Sequence, residues 1–106
     1  MNIIWTDFAI ENLKCIFDYY ANKVNRKVAH KIRKQILDST KQLIQNPKSG
    51  QIELCLEKLN QQHRYILSSN YKIIYKIDSD CIVINDIFDT RQNPIGMTDE
   101  KRNTKQ

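Results

Sequence analysis

A chain of 106 residues, 41% hydrophobic with only two Gly and two Pro, has room for one core and excludes repeat, collagen-like and loop-rich architectures. Seventeen Lys/Arg against twelve Asp/Glu leave a net charge of +5, and the excess is local: Lys23, Arg26, Lys27, Lys31, Arg33 and Lys34 stand together with no acid among them. Such a stripe suits a polyanion, an acidic protein or a plain solvated helix face, while the three cysteines, Cys15, Cys55 and Cys81, are odd in number and exclude a C-x-x-C site.

The cysteines lie in apolar stretches and read as small buried hydrophobes in a reducing cytoplasm. Asn2 to Trp5 is predicted as a short strand. Asp7 follows at once, without a basic n-region, so neither a signal peptide nor a membrane span is expected. Thr6 or Asp7 supplies a side-chain oxygen to cap a helix. In that helix Ala9, Leu13, Ile16, Phe17, Tyr20 and Val24 recur at helical spacing. Asn25 interrupts the pattern and caps a second helix with the stripe Val28, Ala29, Ile32, Ile36, Leu43 and Ile44. Lys27, Lys31, Lys34 and Lys41 point the other way. Asn46-Pro47 ends this helix, because a residue before proline is pushed out of the α region. The short link makes the two helices an antiparallel hairpin.

Gly50 marks a turn, and residues 51–62 read as a loop with a possible strand. Then come three strands, Arg64 to Ser68, Tyr71 to Asp78 and Cys81 to Thr90, joined by Ser69-Asn70 and Ser79-Asp80 as an antiparallel meander. The fold class is therefore α+β: an N-terminal strand and a helical hairpin packed on a mainly antiparallel sheet. Residues 1–97 form the domain and 98–106 a polar tail. By alternation Ile82, Ile84 and Phe88 share one face of the last strand. The hairpin can cover only one face of the sheet. These three residues are therefore expected to meet a partner chain or the tail, or to lie under the loop 47–62.

The order of these elements resembles the RelE/ParE-like toxins of bacterial type II toxin–antitoxin systems. So do Pro47-x-x-Gly50, Arg64-Tyr65 opening a strand and Tyr71-Lys72-Ile73-Ile74-Tyr75 in the next. The closing run Ile84-Asn85-Asp86-Ile87-Phe88-Asp89-Thr90-Arg91-Gln92-Asn93-Pro94 is the most specific part. The resemblance covers about residues 2–97. It implies a cytoplasmic, growth-inhibiting toxin neutralised by a cognate antitoxin, with no cofactor or metal. One branch of the family cleaves messenger RNA on the ribosome, and the other poisons DNA gyrase without nuclease chemistry. Fold alone does not separate them.

A metal-independent nuclease needs a base for the 2′-OH, cations for the phosphate and an acid for the leaving oxygen. By motif Arg91, Arg64 and Lys72 match the basic positions, with His63 and Asp89 as weaker proton-transfer candidates. Asp89 is also placed to hold Arg91. Arg91 leads, because a strand-end guanidinium can fork onto a phosphate. Nuclease members often carry a Tyr or His shortly after the equivalent of Arg91. Gln92 to Met97 holds neither, which leans the reading toward the gyrase-directed branch. The alternatives are a ribosome-dependent mRNA endonuclease and a non-toxic module that binds a partner or DNA. Antitoxin contact is assigned to Ile82, Ile84 and Phe88, or to the hairpin with Lys27, Lys31 and Lys34.

Overall fold

The computed structural model describes residues 1–59 and 61–91, and the tail at 98–106 lies outside them. Strand β1 (Asn2–Trp5) leads into helix α1 (Asp7–Lys23) and helix α2 (Arg26–Gln45). Both helices start where a side-chain oxygen meets a free N–H. Ala9 N–H donates to Thr6 Oγ1 at 3.1 Å, and Val28 N–H donates to Asn25 Oδ1 at 2.8 Å. With Val24 and Asn25 alone between them, the helices fold back as the expected hairpin.

After α2 come a two-residue strand β2 (Gln51–Ile52) and a 3₁₀ segment, Leu54–Leu59. The meander follows as β3 (Arg64–Ser68), β4 (Tyr71–Asp78) and β5 (Cys81–Asp89). The sheet runs β1-β5-β4-β3-β2, with β1 parallel to β5 and the other pairs antiparallel. The strand suspected within 51–62 is thus β2, and Leu54, Leu56 and Leu59 belong to a helical turn instead.

The main core lies between the hairpin and one face of the sheet. Ala9, Ile36 and Leu43 meet Ile66, Ile73, Tyr75, Ile82, Ile84 and Ile87 there. A smaller core on the opposite face joins Leu56, Ile74 and Phe88, with Cys55, Leu59 and Tyr65 packed against it. Ile82, Ile84 and Phe88 therefore do not share a face. Ile84 pairs with Tyr75 and Asp86 with Ile74, so Asn85 is an extra residue on β5. This bulge reverses the alternation beyond it. Ile82 and Ile84 point to the helices and are fully buried, while Phe88 is covered by the 3₁₀ segment. Among the described residues that second face lies under the segment at 54–59, which is the alternative of cover by the loop 47–62.

Other expectations fail at the margins of the helices. Val24 and Ile44, assigned to core stripes, are exposed, and so is Cys15. Val24 has left the helix as its C-cap, and Ile44 falls in the last turn of α2.

Candidate functional site

The last strand ends beside α1. Thr90 N–H donates to Asn70 O at 2.8 Å, which holds the chain against the β3–β4 turn and turns Arg91 back toward Asp89. Asp89 Oδ1 accepts from the Arg91 backbone N–H at 2.9 Å and from its Nε at 3.0 Å. Asp89 Oδ2 accepts from Nη2 at 2.7 Å. The guanidinium is forked on the carboxylate, yet its side chain stays 60% exposed. Hydrogen bonds from the Arg91 side chain hold the Asp89 carboxyl below the usual carboxylate range, against a smaller upward push from desolvation. The same bonds push the arginine up, so both groups are charged at any physiological pH.

Arg91 and Asp89 form one wall of a cleft of about 360 Å³. Asn12, Cys15, Ile16 and Tyr19 of α1 and Tyr71 and Ile87 of the sheet complete it. The Asn12 amide donates to Asp86 Oδ1 at 2.7 Å, tying α1 to the strand below the cleft. The Tyr71 hydroxyl donates to that of Tyr20 at 3.4 Å. Burial, and then the contact with Tyr20, push the Tyr71 hydroxyl far above its ordinary value of 10.0. Sequence reasoning missed these aromatic neighbours of Arg91. The signal was the doublet Tyr19-Tyr20, where α1 turns one ring into the core and leaves the other 54% exposed.

The remaining basic candidates are elsewhere. Lys72 lies on the opposite face of the sheet, 2.7 Å from Glu53 Oε1 and 4.3 Å from the centre of the Tyr65 ring. Arg64 Nη1 donates to the carbonyls of Gly50 at 2.8 Å and Lys48 at 3.4 Å. Arg64 pairs with Tyr75 in the middle of β4, whereas Asp89 pairs with Tyr71 at its start, so the register keeps the two arginines apart. His63, a weaker proton-transfer candidate, is buried, and its carbonyl accepts from Glu53 N–H at 2.8 Å. The structure unites Arg91 with Asp89 and leaves Arg64, Lys72 and His63 away from them.

The Pro47-x-x-Gly50 turn is locked by Tyr75. The Tyr75 hydroxyl donates to Pro47 O at 2.7 Å and accepts from Gly50 N–H at 3.0 Å. A Cβ on Gly50 would lie 2.5 Å from that hydroxyl and 2.7 Å from Tyr65 O, so the backbone can approach only as glycine. Lys27, Lys31 and Lys34 are exposed on the outer side of α2, as expected. Among the described residues no three His, Cys, Asp or Glu cluster to hold a metal ion, and no helix is long and apolar enough to cross a membrane.

The family model described as the ParE toxin of type II toxin–antitoxin systems, parDE, matches residues 3–94. The chain belongs to the ParE toxin family. That match takes in both helices and all the described strands but for Asn2 of β1, and it includes the Ile84–Pro94 run that is the most specific part of the resemblance. Among solved structures, a chromosomal ParDE toxin–antitoxin system from P. aeruginosa has the same fold, with a TM-score of 0.72 and 21% identity over 84% of this chain and 95% of that one. A comparison with curated proteins finds no match. As a ParE-family chain it is a type II toxin, whose partner class is an antitoxin.

Proposed function

We propose that this toxin arrests bacterial growth in the cytoplasm by poisoning DNA gyrase through the surface around Arg91, without cutting RNA, and that a cognate antitoxin neutralises it. The observation that carries this reading is the dispersal of the cations a nuclease would need. Stabilising a pentavalent phosphate requires donors aimed at one point. Here Arg64 is bound to backbone carbonyls, Lys72 to Glu53 across the sheet, and Arg91 alone stands at the cleft.

Proton transfer points the same way. The buried tyrosine nearest Arg91 in the sheet is Tyr71, and its hydroxyl is displaced upward, away from the neutral range in which a general base works. Asp89 is displaced downward and already accepts from Arg91. What remains is a rigid contact surface. Arg91 Nη1 makes no hydrogen bond among the described residues, so an incoming carboxylate or carbonyl can take it. Beside it lie the exposed ring of Tyr19 and the thiol of Cys15.

The test is expression of the chain alone and with its neighbouring antitoxin gene, followed by primer extension on ribosome-bound messages. Growth arrest without codon-linked cuts is expected, with relief by the antitoxin. Cuts that disappear with Arg91→Ala would replace this reading with the endonuclease one.

A further inference from the structure

The Arg91 cleft leaves a strongly charged surface of α2 unexplained. In α2, Arg26, Lys27, Lys31, Arg33, Lys34 and Lys41 stand against a single acid, Asp38. This helix alone carries a formal +5, equal to the net charge of the whole chain. Asp38 is already taken by Lys34 at 2.7 Å and Lys41 at 3.4 Å. Lys23, Arg26, Lys27, Lys31 and Arg33 have no carboxylate partner among the described residues.

The cations are also organised. Lys27, Lys31 and Lys34 recur at one-turn spacing along an exposed row. The neighbouring row is set by Phe17 of α1. Its ring centre lies 5.1 Å from the Arg33 guanidinium and 6.0 Å from that of Arg26, and the His30 ring packs against it at 4.9 Å. Arg33 Nη2 is 3.2 Å from His30 Nδ1. Guanidinium groups held over a ring keep N–H donors at their edges and lose less freedom when they bind an anion.

We propose that this face of α2 binds the phosphate backbone of duplex DNA without reading its sequence. The proposal goes beyond the gyrase reading and stands or falls separately from it. Residues 27 to 34 span about 10 Å of helix axis, which faces about three phosphates of one strand. A helix with its side chains is about 10–12 Å wide, close to the width of the B-form major groove. Single strands fit less well, because the ring of Phe17 is already occupied and no free aromatic platform for bases lies between Lys23 and Lys34. A protein partner would want buried apolar anchors, and the exposed side of this stretch offers only Val24.

The experiment is fluorescence anisotropy of the full-length chain with a labelled duplex of about 20 base pairs over a range of salt, since phosphate contacts set the salt slope. Duplexes of two unrelated sequences should bind with affinities within about two-fold of each other. Lys27→Glu/Lys31→Glu should weaken binding at least about ten-fold and flatten the slope of log affinity against log salt by about 1.8, that is about 0.9 for each lost contact. Lys48→Glu/Lys76→Glu changes net charge equally off the helix and should stay within about three-fold of wild type. Phe17→Leu should weaken binding while leaving the slope nearly intact. Circular dichroism establishes that each variant is folded. Equal weakening by both double variants would overturn the proposal, as would tighter binding of single-stranded DNA or double-stranded RNA. An acidic peptide that binds the wild type but not Lys27→Glu/Lys31→Glu, with no saturable duplex binding, would also overturn it and assign the face to a protein.

Discussion

Lys72 separates a structural cation from a catalytic one. Lys72→Met keeps the length and packing of the stem over Tyr65 but deletes the ammonium that sits 2.7 Å from Glu53 Oε1. The Glu53 side chain is 3% exposed, and among the described residues it also accepts from Cys55 N–H at 3.3 Å. Breaking a buried pair on one side costs about 3–5 kcal/mol, because the other charge is left uncompensated. Lys72 itself is 21% exposed, so water reaches the site, and the low end, about 3 kcal/mol, applies. For a domain near 100 residues that lowers Tm by about 12 °C. Glu53→Gln in the same chain removes the stranded charge and should recover all but about 1 kcal/mol. Thermal melts of the wild type and the two variants measure this, and growth arrest on expression supplies the functional reading. The double variant should regain both stability and arrest. If Lys72→Met melts within about 3 °C of wild type and still loses arrest, Lys72 acts on the target and the reasoning is wrong.

Gly50→Ala should cost about 2 kcal/mol or more, because the new methyl meets the buried Tyr75 hydroxyl and a backbone carbonyl. In a Tyr75→Phe background the added cost should shrink, and additive denaturation midpoints would contradict that coupling. Alkali should destabilise the fold. Burial raises both Tyr71 and Tyr75 above the ordinary 10.0, so the folded phenols stay neutral while the unfolded ones ionise. Their contribution is complete below about pH 10 and is lost as pH rises toward the folded values. A denaturant midpoint that stays flat from about pH 9 to 11 would refute this.

The parts of the fold legible in the sequence are those decided locally. Thr6 and Asn25 cap their helices with their own side chains, and Asn46-Pro47 ends α2 through a steric rule that needs no tertiary context. The face of β4 was equally plain: Tyr71, Ile73 and Tyr75 alternate inward while Lys72 and Ile74 point away. The bulge at Asn85 was not legible, because strand alternation reads straight through it. Long-range contacts surround it: Thr6 Oγ1 donates to Asn85 O at 3.3 Å, and Asn12 bonds Asp86. One extra residue moved Phe88 off the face of Ile82 and Ile84, which the helices cover. Residues 54–59 were opaque for a related reason: Leu54, Leu56 and Leu59 fit neither period, and Leu56 and Leu59 pack on Ile74 and Phe88 while Leu54 stays exposed. At the site, the sequence pointed to Arg91 and Asp89 as a pair. It grouped Arg64 and Lys72 with them by motif, and only the register of β3, β4 and β5 reveals that their side chains end at carbonyls and at Glu53.

We propose that this toxin acts on gyrase with Arg91 as a contact residue. Supercoiling of relaxed plasmid by purified gyrase, titrated with wild-type protein and with Arg91→Ala, tests it most directly. An exposed ion pair stabilises little, so the variant should melt within a few degrees of wild type. Supercoiling should fall as wild-type protein is added and persist with Arg91→Ala. Undiminished supercoiling with a folded wild-type protein that still arrests growth in cells would contradict it.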